Sequence, residues 1–499
     1  MQIKELFCSF VFEIIKEMYQ KDDIELKEII INDNEDIFID FLSNKNISSK
    51  DFLQIETEIN KKLQENSNIQ HIKFKILNIS EVKKDSVFCQ RLTLCCFEKE
   101  EDLKIYCDEL QQKIANDHRN LNDKLNFFCQ IPISKGNVLF LKNGALLFNR
   151  IIRYLENQYE KNDYYIVKTP IIFQSQMWEK TGHMDKYKDN IFITEEGEII
   201  KPMNCPAHME IFNHLSLSYK QLPLRIGEIG YVHRKEDVGG LQGLKRCRGF
   251  HIDDGHIFLE IEDIPKELKL FFEMLNTIYG DFGFNSYEVY LTTRPEESIG
   301  DDVLWEKAEN LLQEYLENAN IPYILEKGDG AFYGPKLEIR ITKKFTLGTI
   351  QIDFFLPKKL DITYINPQNT PTYPIVLHRA VLGSLERFIG FLIEYYEGNL
   401  PIWLSPITVS IISLENSSYS QKVIDKLKKN NIRINVNNSE EHMNNKIKKA
   451  LQDKIPYIII IGNKEATNNT ITLRLKDKNI ILTIEDFIQK YIIDENYYR

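Results

Sequence analysis

The sequence predicts a multidomain chain of mixed α/β and α+β class, and three patterns along it carry that prediction. Between Leu139 and Pro401, apolar β-rich runs such as Tyr164-Tyr165-Ile166-Val167, Gly348 to Phe355 and Tyr373 to Leu377 stand between stretches of helical periodicity. They read as a mixed sheet flanked by helices. After Leu404-Ser405-Pro406 the runs Thr408 to Ile412 and Tyr457 to Ile461 alternate with helical stretches, which predicts a small α/β domain with a largely parallel, buried sheet. Before about Tyr106 the pattern is that of a small α+β unit.

Taken in order, an amphipathic helix is expected around Leu6 to Tyr19 and a strand over Asp36 to Phe41. A further helix is expected after Ser48-Ser49, where serine supplies an N-cap. Asp117-His118-Arg119-Asn120 opens a connector, with His118 read as structural. The divisions expected are 1–110, a connector over 111–140, a main domain over 141–403 and a last domain over 404–499. With 499 residues, 43% hydrophobic and 27% charged, the chain has ample material for about three domains.

Met1 to Gln20 mixes Lys4, Glu5, Glu13, Lys16 and Glu17 with apolar residues, unlike a secretory or transit signal. Nothing reaches a membrane-spanning length. The eight cysteines are scattered, which fits reduced thiols and a cytoplasmic location better than a disulfide framework. Net charge is −11, but residues 405–499 hold 15 basic and 11 acidic groups and are net +4, against −15 for the rest. A modestly basic tail on an acidic body suits an RNA contacted mainly at one end, although chance surface variation gives the same pattern.

The densest chemistry lies mid-chain. Arg234-Lys235-Glu236 is followed by Arg246-Cys247-Arg248-Gly249-Phe250, and later by Gly383-Ser384-Leu385-Glu386-Arg387. Arginines on separate rigid elements can each grip a different phosphate of a nucleoside triphosphate through a planar two-pronged guanidinium. Glu236 can accept from an exocyclic amine, and Phe250 can stack on a purine. Neither a Walker loop nor a dinucleotide-binding Gly-x-Gly-x-x-Gly occurs.

The runs Trp178 to His183, Lys201 to Pro206, Arg246 to His256 and His378 to Ser384 resemble the catalytic core of threonyl-tRNA synthetases, a class II aminoacyl-tRNA synthetase family. The resemblance is dense from about Asp117 onward and thin before it. It implies an antiparallel class II catalytic sheet with helices over 141–403 and an anticodon-binding domain over 404–499. The activity implied is ATP-dependent activation of threonine and its transfer to tRNA(Thr). Arg234 is implied at the α-phosphate and substrate carboxylate, Glu236 at the adenine amine, Arg246 at the phosphate tail, Arg387 at the γ-phosphate and Phe250 against adenine. Ser384, Tyr333 and Lys336 fall in matching pocket segments. Seen alone, each arginine, Glu236 or Phe250 reads more readily as a surface ion pair or a core aromatic, and the Tyr333 and Lys336 stretch as an aromatic turn packed for structure.

The resemblance also implies that Cys205, His256 and His378 bind one zinc ion per subunit, with magnesium accompanying ATP. No local spacing announces such a metal, and a buried thiol and core histidines are the plain alternative. An open zinc can take the amino group and hydroxyl of threonine together, which valine cannot offer, and Asp254 can accept from that hydroxyl. His183 is implied near the terminal ribose of tRNA as an aid to deprotonation; a loop histidine is the alternative. Glu465 and Arg474 are implied to read anticodon bases. Lys168-Thr169-Pro170 matches a motif placed at a homodimer contact.

Residues 1–110 look like a shrunken editing domain lacking the family's His-x-x-x-His, so serine misactivation uncorrected by this chain is expected; a docking domain is the alternative. Three departures stand out: Ala207 for the usual glycine, Ile252 for a polar glutamine and Lys448 for an arginine at the anticodon stem. A prolyl- or seryl-specific relative and a catalytically silent RNA-binding relative are the rival readings. The first lacks a reason for Cys205, His256 and His378, and the second lacks one for a triphosphate clamp.

Overall fold

The computed structural model describes every residue except 1, 20–23, 33–35, 44–46, 67, 85–86, 183, 185–187, 301, 343–344, 414–417, 476–477 and 494–499. The chain divides into two compact units, Met1–Asn116 and Asp117–Arg499.

In the first unit the helices Gln2–Met18, Phe52–Glu65 and Glu100–Ala115 accompany a four-stranded antiparallel sheet. Its order is Glu25–Ile31, Asp36–Leu42, Val87–Phe97, Lys73–Lys84. Ile55, Ile59 and Leu63 recur every fourth residue and are buried, which is why that segment is helical and which face it turns inward. Ser48 does cap, but through a capping box with Asp51 that opens a short 3₁₀ turn ahead of the helix. Buried Asp40 is held opposite Arg91 by register and takes two hydrogen bonds from it, each 2.7 Å.

The second unit is built on an eight-stranded sheet. Its order is Tyr323–Glu326, Glu288–Thr292, Lys336–Thr342, Phe345–Asp353, Ile375–Ala380, Gly249–Leu259, Leu224–His233, Tyr165–Ile166. The six central strands are antiparallel and only the two edge pairings are parallel. Helices Lys142–Lys161, Ile264–Asp281 and Leu385–Tyr395 bury their apolar stripes in the main core with this sheet. Asp117 caps the helix His118–Leu125 by accepting from the Arg119 N–H. Buried His118 uses both ring nitrogens: Nδ1 lies 2.8 Å from Glu394 Oε1, and Nε2 accepts from the Leu244 N–H at 3.0 Å.

The C-terminal sheet runs Ile434–Asn437, Val409–Ser413, Tyr457–Ile461, Ile471–Arg474, Asn479–Leu482. Only the first two pairings are parallel. The largely parallel sheet expected from sequence is therefore half right: the last two strands form a tight hairpin, and a connection that short requires antiparallel pairing. Among the described residues, no helix is long and apolar enough to cross a membrane.

Candidate active site

One strand supplies the axis of the site. Along Gly249–Leu259, side chains alternate between faces, so Phe250, Ile252, Asp254 and His256 fall on the same side. At about 3.4 Å per residue they span roughly 20 Å. Neighbouring strands complete a row, since Ile226 pairs with His256, His256 with His378, and His378 with Gln351. Within the Lys201 to Pro206 run, Asn204 is the N-cap and Cys205 the first residue of the helix Cys205–Leu215.

A cavity of about 520 Å³ opens on this face. Of the residues expected there, it brings together Cys205, Arg234, Glu236, Asp254, Tyr333, Lys336 and His378. Ile252 and Gln351 also line it. His256 lies beneath, fully buried.

At one end, the donor atoms of Cys205, His256 and His378 lie within 4.8 Å of one another. His256 Nε2 and His378 Nδ1 are buried and have no hydrogen-bond partner. Their opposite ring nitrogens are engaged: His378 Nε2 lies 2.9 Å from Asp353 Oδ2, and His256 Nδ1 lies 2.8 Å from His208 Nδ1. Asp353 is itself fixed by the N–H groups of Phe355 and Leu356. Two imidazoles oriented from behind, with free nitrogens turned toward a thiol, are a donor set suited to zinc. Burial pushes the Cys205 thiol well up, with Asp254 and Asp353 adding to it, and burial together with His378 and His208 pushes the His256 imidazole well down, so it is neutral. A bound cation would reverse the first effect and is favoured by the second. The other three-residue group among the described residues, Asp117, His118 and Glu394, is no match, because both nitrogens of His118 are occupied.

Asp254 sits next to this cluster, accepting from Asn204 Nδ2 at 3.0 Å, with Oδ1 at 4.0 Å from His256 Nε2. Burial raises its pKa against the pull of His208 and Asn204. Gly230 makes the Asn204 position possible: a Cβ there would lie 2.4 Å from Asn204 Oδ1.

At the other end, the Arg234 guanidinium lies 5.3 Å over the Phe250 ring, and its Nε donates to the Pro202 carbonyl at 3.3 Å. Glu236 and exposed Arg246 pair with each other at 2.8 Å. A nucleotide engaging both would exchange that pair, at small cost because exposed ion pairs are worth about 0–1 kcal/mol.

Other expected residues fall outside the cavity lining. Arg387 stands in the first turn of the helix Leu385–Tyr395, half-buried, its guanidinium 4.5 Å over Phe345. Burial lowers its pKa, opposed by Glu338, which also pairs with Lys336 at 2.7 Å. Ser384 is the N-cap of that helix, accepting from the Arg387 N–H, so its visible work is helix initiation. His183 lies outside the described residues.

In the C-terminal domain, Glu465 lies in the short helix Asn463–Asn468. It accepts from the Gly462 N–H and from Thr472 Oγ1. Thr472 and Arg474 are two apart on one strand, so Glu465 and Arg474 share that sheet face. Lys448 is exposed.

Sequence reasoning missed Asn204, Gln351, Asp353, His208 and Glu228. The one local signal was available for His208, one helical turn after Cys205 and hence on the same face.

Residues 189–396 match the family described as tRNA synthetase class II core domain (G, H, P, S and T), and residues 407–491 match the anticodon binding domain family. A threonine–tRNA ligase of Sulfurihydrogenibium sp. (strain YO3AOP1) is 37% identical over 434 residues, 84% of this chain and 68% of that protein. One from Anaplasma marginale (strain St. Maries) is 39% identical over 394 residues, 77% of this chain and 62% of the relative. The chain thus spans about two thirds of the length of these relatives. Among solved structures, the RNA binding domain of threonyl-tRNA synthetase from Cryptosporidium parvum Iowa II superposes with a TM-score of 0.71 at 36% identity, covering 75% of this chain and 97% of that one.

Proposed function

The chain belongs to the threonine–tRNA ligase family of class II aminoacyl-tRNA synthetases, and from that premise we propose that it joins threonine to ATP as threonyl-adenylate and passes the acyl group to tRNA(Thr). The observation that carries this reading is one cavity lined by Arg234 at one end and by Cys205 and His378 at the other, where buried His256 lies beneath as the third donor.

In the first step a threonine carboxylate oxygen attacks the α-phosphorus of ATP, and pyrophosphate leaves. Arg234 faces the cavity where charge builds on the α-phosphate and carboxylate; Arg387 meets the γ-phosphate, and magnesium accompanies the phosphates. Glu236 accepts from the adenine amine, and Phe250 offers the apolar surface next to Arg234 on which the base packs. In the second step a ribose hydroxyl of the tRNA attacks the adenylate carbonyl and AMP leaves, with His183 taking the hydroxyl proton.

Cys205, His256 and His378 would hold zinc, which supplies open coordination positions for an amino group and a hydroxyl together. Asp254, kept in place by Asn204, accepts from the same hydroxyl. Valine leaves Asp254 unpaired in a buried site and is rejected, whereas serine satisfies it and is rejected poorly. Ile252 narrows the cavity floor between Arg234 and Asp254 with an apolar side chain. Residues 404–499 would hold the anticodon through Glu465 and Arg474. Two chains would meet near Lys168-Thr169-Pro170, where Tyr165, Ile171 and Ile172 are exposed at 51%, 41% and 50%.

Amino-acid-dependent exchange of pyrophosphate into ATP tests this. Zinc-loaded protein is expected to exchange with threonine, more weakly with serine and almost not at all with valine, and chelator treatment should abolish the threonine signal. Absence of exchange with every amino acid would leave only a binding role. Gly230→Ala should raise the threonine KM by about 10-fold or more, because displaced Asn204 withdraws a hydrogen bond to a charged group worth ~1.5–3 kcal/mol. An unchanged KM would show that Asn204 does not set Asp254.

A further inference from the structure

Beside the cavity, on the sheet face that Asp254 shares with Glu228, a chain of buried polar groups runs from His256 to the backbone of Thr169. We propose that His208 and Glu228 form a relay that presets His256 for metal binding and couples occupancy of the site to the Lys168-Thr169-Pro170 segment, an inference that rests on reading Cys205, His256 and His378 as metal ligands.

All the members are out of solvent: His256 and His208 are 0% exposed, Lys201 1% and Glu228 3%. His208 reaches in two directions. Its Nδ1 is 2.8 Å from His256 Nδ1, and its Nε2 is 3.0 Å from Glu228 Oε2. Glu228 in turn accepts from the Thr169 N–H at 2.7 Å, and from Thr169 Oγ1 at 2.9 Å. Lys201 Nζ donates to Thr169 Oγ1 at 2.6 Å and lies 3.6 Å from Glu228 Oε1.

With both imidazoles neutral, the hydrogens along this chain have only one good arrangement. A neutral imidazole has one N–H and one bare nitrogen. Glu228, an acceptor with cationic Lys201 beside it, demands that the hydrogen of His208 sit on Nε2. That leaves His208 Nδ1 bare, so the hydrogen of His256 must sit on its own Nδ1 to donate across the 2.8 Å contact. His256 Nε2 is then bare and turned toward Cys205 and His378, the form that can ligate a cation. With the hydrogen on His256 Nε2 instead, either two bare nitrogens would face each other or His208 would turn a bare nitrogen to a carboxylate, and both are repulsive. Glu228, two residues removed from the ligand atom, thereby selects its tautomer. Because that carboxylate also holds the Thr169 amide, tightening His256 on a metal tightens the amide.

The test uses the full chain, with zinc as the probe. Zinc retention against a chromophoric chelator and hydrogen exchange at the Thr169 amide are followed with and without zinc. His208→Leu is expected to weaken zinc binding by about 10- to 100-fold and to erase zinc-dependent protection of Thr169. His208→Asn, whose side-chain oxygen reaches the Nδ1 position but not Glu228, should recover zinc binding without recovering that protection. Wild-type affinity in His208→Leu overturns the relay, and Thr169 exchange indifferent to zinc in the wild type overturns the coupling. A wild-type protein that holds no zinc overturns instead the metal reading beneath it.

Discussion

Replacing Arg234 by alanine is expected to lower threonine-dependent pyrophosphate exchange by about 10²- to 10³-fold, the usual consequence of removing one preorganised donor to charge that develops in a transition state. The guanidinium enters the cavity from the residue just after the strand Leu224–His233, held by the Pro202 carbonyl and the Phe250 ring. It is therefore poised before substrate arrives and pays little reorganisation on binding. Arg234→Lys should recover only part of the loss, since an ammonium cannot present two parallel donors to phosphate and carboxylate oxygens. The deficit should appear in kcat more than in the KM for threonine, whose hydroxyl and amino group are read at the other end of the cavity. A variant with full exchange would remove Arg234 from the chemistry and shift the burden to Arg246 and Arg387.

The largest effect on stability is expected at Asp253, which takes no part in the cavity. Asp253 and Arg379 are both buried, with side chains on the sheet face opposite Asp254 and His378, although Arg379 also forms part of the cavity lining. Asp253 accepts from Arg379 Nη1 at 2.6 Å, from the N–H groups of Val381 and Leu382 at 2.8 Å each, and from the Tyr159 hydroxyl. The guanidinium is sandwiched by Tyr159 and Tyr164, 4.5 and 4.4 Å from the ring centres, with room left by Gly255, where a Cβ would lie 2.5 Å from Arg379 Nε. Asp253→Ala leaves that cation buried and unpaired, and a loss of about 3–5 kcal/mol is expected, read as a lower thermal midpoint and less soluble protein. Asp253→Ala combined with Arg379→Met should be milder than Asp253→Ala alone, because no charge is then stranded. A double variant that adds the two single losses would show that the pair acts as packing and not as an ion pair.

Legibility in the sequence followed how local each feature is. The strand over Asp36 to Phe41 and the capping serine at Ser48 could be read because strand patterns and caps are properties of a few adjacent residues. Asp254 and His256 were named only through the resemblance carried by the Arg246 to His256 run. Cys205 and His378 were legible only through family resemblance, since 173 positions separate them; strand register brings His378 to His256, and the start of the helix Cys205–Leu215 brings Cys205. Register is set by pairing across the sheet, which no single strand encodes. Buried Glu228 escaped notice because a lone polar residue in an apolar stretch carries no mark of its partner. The C-terminal sheet was over-read as parallel because buried strands look alike in either direction, and only the shortness of the chain between Arg474 and Asn479 marks the last pair as antiparallel.

The strand Gly249–Leu259 places its functional side chains by parity alone, even positions toward the cavity and odd positions toward the helices. Length is consequently a harder constraint there than identity. A single exchange such as Ile252 alters one stretch of cavity floor and leaves the rest untouched. One inserted or deleted residue after Ile252 would instead turn Asp254 and His256 into the core and push Asp253 out toward substrate, inverting both the reading of the hydroxyl and the anchor beneath it. This family can retune its pocket letter by letter, but along this segment it is locked in frame.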